Sequence, residues 1–190
     1  MPFPKNLLTD LTGGDEDRAQ AAVVKLAASD ASVLPALLDL AHSNVTDHRW
    51  WAICALGQSP HGLTEHLLPF LDDPSPEVRQ AAILGLHSRA DESAVPALVT
   101  ALSDEDSMAA NLAANALVKV GRASVPALIE IMESASQGAR ILALRALAEI
   151  KDQRAIPVMM KMMQADSALL QHWANEGLER LSLDMVYIKP

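Results

Sequence analysis

Along residues 76–102 the apolar positions Val78, Ala81, Ala82 and Leu86 recur at i, i+3, i+4 and i+8, the spacing of one stripe on an α-helix. Alanine at two of the four positions lets a neighbouring element approach closely. The following Ala94-Val95-Pro96-Ala97-Leu98 opens a second helix. Proline is accommodated there because the N–H it lacks has no intrahelical acceptor in the first turn. This two-helix outline returns along the whole chain. Pro35, Pro69, Pro96, Pro126 and Pro157 stand in the contexts VLPAL, LLPFL, AVPAL, SVPAL and AIPVM, at intervals of 34, 27, 30 and 31 residues. The helices between them share one register: Trp51-Ala52 with Leu56, Ala81-Ala82 with Leu86, Leu112-Ala113 with Leu117, Leu142-Ala143 with Leu147, and Trp173-Ala174 with Leu178.

The pattern predicts a short opening helix over 4–11, a break at Gly13-Gly14, and a helix over 15–28 that begins at Asp15-Glu16-Asp17. Pairs follow over 31–43 with 47–58, 63–72 with 76–88, 93–102 with 107–120, 123–134 with 137–150, and 153–164 with 167–182. Ser, Asp, Gly and Pro cluster in the connections, where they cap or stop helices. A single unit of about thirty residues buries too little apolar surface to stand alone, so neighbouring units must cover one another. The expectation is an all-α fold, an α-solenoid with a right-handed superhelix of about six antiparallel helix pairs. It forms one domain over 1–190, with a cap region over 1–14 and a tail over 182–190 that covers the last repeat through Met185, Val186, Tyr187 and Ile188.

Composition agrees with helices packed through small and aliphatic side chains: half of the 190 residues are hydrophobic and only 3% aromatic. No apolar run is long enough to span a bilayer, and the N-terminal residues lack the basic start and apolar block of a secretory signal. The lone Cys54 forms no internal disulfide. These features point to a soluble, cytoplasmic protein without membrane association. The formal charge is −9, and residues 1–95 carry 6 Lys/Arg against 13 Asp/Glu. Nucleic acid is therefore disfavoured as a partner, since phosphate affinity comes from Lys and Arg displacing counterions. A local basic strip exists around Lys119, Arg122, Arg140 and Arg145.

Catalytic and metal chemistry find little support. The six histidines are scattered over different faces and loops, and neither His-Glu-x-x-His nor a His-Glu dipeptide occurs. Glycine-rich phosphate loops and defensible Ser/His/Asp or Cys/His arrangements are also missing from the sequence. We expect no cofactor, no metal and no enzyme activity. Met159, Met160, Met162 and Met163 sit at helical spacing and read first as packing.

The motif Pro-x-Val-Arg-x-Ala-Ala-x-x-(small)-Leu at Pro76 to Leu86, followed by Asp91-x-x-Ala94-Val95-Pro96-Ala97-Leu98, resembles the HEAT-like repeat first associated with phycobiliprotein lyases (PBS lyase). The resemblance runs from about Asp15 to Leu181. It implies the solenoid fold; its members include scaffolds, immunity proteins, bilin lyases and DNA glycosylases. By the same resemblance, the second helix of each pair lines the concave side.

Two sets of second-helix positions follow from that register. Arg49, Arg79 and Arg140 share one position near acidic turns, and read as a structural ladder of Arg–Asp pairs between repeats in preference to an anion-binding ladder. Ala110 and Gln171 interrupt the series. The second set faces the groove and changes chemistry from repeat to repeat: Trp50, Cys54, Gly57; Gln80, Leu84, His87; Asn111, Asn115, Val118; Ile141, Arg145, Ala148; His172, Glu176, Glu179. Variation on a constant frame is what a binding surface permits. The expectation is a scaffold that binds a peptide or protein partner, with Trp50 as an aromatic anchor and Asn111, Asn115 and Arg145 as hydrogen-bond donors. Trp51 and Trp173 then belong to the core. The alternatives are a bilin lyase-like, chromophore-handling protein and a HEAT-like DNA glycosylase; the acidic balance and the missing Asp on the row speak against the latter.

Overall fold

The computed structural model describes the backbone of residues 5–186 and the side chains of residues 6–182. It contains α1 (Lys5–Thr12), α2 (Glu16–Ala27), α3 (Leu34–Ala41), α4 (Thr46–Gln58), α5 (Thr64–Leu67), α6 (Pro76–Arg89), α7 (Val95–Ala101), α8 (Ser107–Val120), α9 (Val125–Glu130), α10 (Gln137–Ile150), α11 (Ile156–Met162) and α12 (Ala168–Val186). No strand occurs among the described residues, and the chain is an all-α solenoid of helix pairs. Its residues fall into two compact units, one ending at Arg89 and one beginning at Ala90. The uninterrupted thirty-residue period gives no sign of that division.

The opening helices are built to one plan, and proline sits in their first turn. Pro35, Pro96, Pro126 and Pro157 are the second residues of α3, α7, α9 and α11, and Pro69 is the second residue of the 3₁₀ turn after α5. A 3₁₀ turn also leads into α3, α7, α9 and α11. In three repeats an aspartate starts that turn: Asp30, Asp91 and Asp152 each accept a hydrogen bond of 2.9 Å from the N–H two residues on. The opening α-helices are accordingly shorter than their apolar pattern, because its first turn is 3₁₀ and its last is irregular.

The second helices carry the shared register into the core. Ala52, Ala82, Ala113, Ala143 and Ala174 are all fully enclosed, at 0% exposure. In the first unit α2 packs on α4 and α4 on α6; in the second, α8 packs on α10 and α10 on α12. Small residues set these crossings. Cβ atoms added to Gly57 and to Gly85 would lie 3.1 Å and 3.0 Å from the other glycine's Cα, so α4 and α6 touch backbone to backbone there. Gly177 repeats the arrangement, its added Cβ 3.1 Å from Ala148 Cβ.

Two expectations change. Trp51 and Trp173 are half-buried, as are Leu112 and Leu142 at the same position, because this position lies at the edge of the stripe beside the enclosed alanine. The methionines divide, Met159 and Met162 packing inside and Met160 and Met163 facing out. The backbone of α12 runs on through Val186; the covering expected from Met185, Val186, Tyr187 and Ile188 concerns side chains outside the described residues.

Candidate functional site

In the first unit, the adjacent α4 and α6 present their row positions to one open cavity of about 360 Å³. Trp50, Cys54 and Gly57 come from α4 and Gln80 and Leu84 from α6, joined by Gln58, Glu77 and Ser88. Leu84 is 50% exposed and stands among small and polar neighbours on this wall. The Gly57–Gly85 crossing brings the two helices close enough for Trp50 and Leu84 to share this space. Burial pushes the Cys54 thiol up to about 12, so it lines the cavity as an apolar, unreactive group at neutral pH. Trp50 and Trp51 meet edge to face with ring centroids 4.4 Å apart. Trp50 also borders a smaller cavity of about 230 Å³ with Leu11, His48 and Trp51.

In the second unit the expected hydrogen-bond donors are brought together and engage one another. Arg145 donates from Nη1 to Asn111 Oδ1 over 3.0 Å and from Nη2 to Asn115 Oδ1 over 3.1 Å. Glu149 Oε1 lies 3.8 Å from Arg145 Nε, and the Asn111 amide donates to Ser107 O over 2.7 Å. The guanidinium is therefore held between α8 and α10 through its two Nη groups, its Nε buried without a hydrogen-bond partner among the described residues. It forms a cationic platform, and the asparagines serve as its supports. Glu176 accepts from Arg180 over 2.9 Å on α12, His172 is exposed with its ring against Trp173, and half-buried His87 does not line the α4–α6 cavity.

The arginine position has a consistent local role. Arg49 donates to Ser43 O over 3.1 Å, Arg79 to Asp73 O over 2.9 Å and Gln171 to Ala165 O over 2.7 Å, in each case the carbonyl six residues back. Each thereby ties its helix to the preceding turn. Arg49 additionally reaches the next repeat, gripping both carboxylate oxygens of Asp73 at 2.8 Å. Burial works against ionising Asp73, but hydrogen bonds from Arg49 and the Ser75 N–H, with the charges of Arg49 and Arg79, outweigh it and hold the carboxyl below its ordinary value. Arg140 is the exception: its Nε is buried without a hydrogen-bond partner among the described residues.

Reasoning from the sequence missed Glu77, Gln58 and Ser88 in the cavity wall, since none falls on the chosen row positions. It also missed Arg89. From the end of α6, Arg89 Nη2 donates to Leu56 O over 2.7 Å and lies 3.3 Å from Gly57 O and Ser59 O, satisfying the carbonyls left open at the end of α4. The only available signal was an arginine at the close of a helix, too common to single out.

Repeated helix pairs with constant packing positions and a chemically varied row define the class of helical-repeat proteins. The pattern of HEAT repeats covers residues 64–134 and 125–184, and the chain belongs to this family. Over 108 residues it is 33% identical to a phycocyanobilin lyase subunit beta of Nostoc sp., covering 56% of this chain and 54% of that protein. The chain thus spans about half the length of that relative. Among solved structures, an archaeal HEAT-like repeat protein from Thermococcus onnurineus aligns over 95% of this chain and 81% of its own, with TM-score 0.65 and 17% identity. The complex of CpcE and CpcF of phycocyanin lyase from Nostoc sp. aligns over 95% and 77%, with TM-score 0.55 and 19% identity. At these identities the structural likeness establishes the fold. No helix among the described residues is long and apolar enough to cross a membrane.

Proposed function

We propose that this chain is a non-enzymatic interaction subunit that holds a segment of a protein partner against the row positions of its second helices. The observation that carries the proposal is the cavity in which half-exposed Leu84 and Trp50 share a wall with Gln80 and Glu77. An apolar side chain of the partner entering it would cover Leu84 and the indole face, while the polar rim would hold the partner's backbone. The Arg145 platform offers a second, polar contact in the other unit.

A photo-crosslinking side chain placed at Leu84 or Asn115 in the source cell tests this. Both positions should yield the same discrete protein adduct, and a control at exposed Thr100 on α7 should not. Adducts spread over many proteins, or equally strong from the control, would dispose of the proposal.

A second reading rests on the similarity to proteins named as phycocyanobilin lyase subunits: the partner is a bilin-carrying protein, or the bilin itself enters the cavity. Titration of the purified chain with a free bilin separates these. A saturable visible-band shift that is lost in Trp50→Ala favours direct chromophore binding. An unchanged spectrum together with a discrete crosslinked partner favours the scaffold.

A further inference from the structure

Two indoles and two carboxylates meet at one small cavity of the first unit. Its volume is about 230 Å³, and Trp50 and Trp51 of α4 border it together with Asp47 and His48 of the same helix, Glu16 at the start of α2 and Leu11 of α1. The indole planes stand at 73° to each other, so they form a corner and not a stack. The space is far larger than the ~30 Å³ share of a single water. A flexible aliphatic stem with its head group can enter it.

The chain leaves both carboxylates unspent. The side chains of Glu16 and Asp47 are exposed and make no hydrogen bond or ion pair among the described residues. The cations beside them in sequence are directed elsewhere. Arg49, two residues after Asp47, holds Asp73 and Ser43 O, and Arg18, two residues after Glu16, lies 3.7 Å from Asp15. No lysine or arginine lines the cavity. Stabilisation of the helix dipoles accounts for acidic residues at the starts of α2 and α4, but not for the half-exposed indole of Trp50 beside them. Carboxylates attract a cation by charge and an indole attracts it through its quadrupole, so the same occupant answers both.

We propose that this corner receives a lysine or arginine side chain of the partner segment whose apolar residue enters the α4–α6 cavity. The inference rests on the proposed function and adds the chemistry of the partner. Trp50 borders both cavities, so the apolar residue and the cation lie on either side of one indole and come from nearby positions of one segment. The methylene stem lies along the indoles while the charged head meets Asp47 and Glu16. A basic segment also suits the charge of this part of the chain, where residues 1–95 carry 13 Asp/Glu against 6 Lys/Arg and so draw in positive charge.

The probe is a lysine residue capped at both ends, titrated into the full chain while the indole N–H resonances of Trp51 and Trp173 are followed by nitrogen-15 NMR. Trp51 borders this cavity and not the α4–α6 one, and Trp173 belongs to the second unit. We expect a saturable shift at Trp51 with Trp173 unmoved. Capped norleucine, which keeps the stem without the charge, should bind about tenfold more weakly, and Glu16→Gln combined with Asp47→Asn should weaken the lysine probe about fivefold. Both positions are exposed, so the double variant should fold, which its melting temperature checks. Absence of a saturable shift, equal affinity for norleucine, or unchanged lysine affinity in the double variant overturns the proposal. The crosslink from Leu84 reads the proposed function separately: a discrete adduct there with no lysine shift at Trp51 overturns this inference alone, and scattered adducts overturn both.

Discussion

Arg49 and Asp73 meet through two parallel hydrogen bonds of 2.8 Å, with their side chains only 12% and 6% exposed, so α4 is tied to the turn ahead of α6 by an enclosed ion pair. Removing one partner leaves the other charge desolvated and without its main counter-charge. Asp73→Ala should therefore destabilise the protein by about 3 kcal/mol. Replacing both residues by apolar ones of similar size should recover most of that. Urea unfolding of the two single variants and the double variant measures the coupling. A single-variant cost within noise would show that the pair carries no stabilising load.

Acid should attack two carboxylates of this frame. Asp152 is lowered from 3.8 to about 2, first by the side-chain hydrogen bond from Arg154 and then, against the opposing cost of burial, by the Arg154 N–H and the charges of Arg154 and Arg122. Asp73 is shifted in the same direction. A folded-state value below the unfolded one stabilises above the unfolded value, so this contribution is intact above about pH 4 and falls away towards pH 2. Melting temperature followed across that range should drop less steeply in Asp152→Asn than in the parent.

Gly85 and Gly177 occupy one register and should respond differently to alanine. An added Cβ at Gly85 would lie 3.0 Å from the Gly57 backbone and 2.8 Å from Leu67 Cδ1. Backbone yields poorly, and Gly85→Ala should cost about 1–3 kcal/mol. At Gly177 the two nearest contacts of the added Cβ are Met159 Cε at 2.6 Å and Sδ at 2.8 Å, the far end of a flexible side chain, with Ala148 Cβ at 3.1 Å behind them. Both glycines are interior to a helix, so the same gain of up to about 1 kcal/mol in helix propensity opposes both clashes, and what the added Cβ meets decides between them. Thermal unfolding of both variants should rank Gly85→Ala clearly lower.

Ala90 follows α6 with φ of +52°, in the left-handed region where a Cβ costs roughly 1 kcal/mol. Ala90→Gly removes that strain and should stabilise the chain by a few tenths to about 1 kcal/mol, net of the extra freedom it gives the unfolded chain. A lower melting temperature would mean that the methyl group packs better than the backbone suffers.

The repeat was legible because its signals are local. Helical spacing such as Val78, Ala81, Ala82 and Leu86, and proline in the first turn, act within a few residues, and the five enclosed alanines follow the same register. The row positions were legible as positions, and Trp50 and Leu84 do share a cavity. What they do was less so. Asn111, Asn115 and Arg145 were expected to offer free donors, yet they are joined across 34 and 30 residues, a separation at which pattern says nothing about pairing. Nor could the sequence say that Asp73, 24 residues on, is the carboxylate Arg49 grips.

The edge-to-face contact of Trp50 and Trp51 has an optical consequence. Two indoles this close couple their electronic transitions, so the far-ultraviolet dichroism should carry an exciton couplet on top of the helical bands. Because Trp50 also borders the α4–α6 cavity, any molecule seated there would disturb the couplet and the fluorescence together, a readout that needs no attached dye.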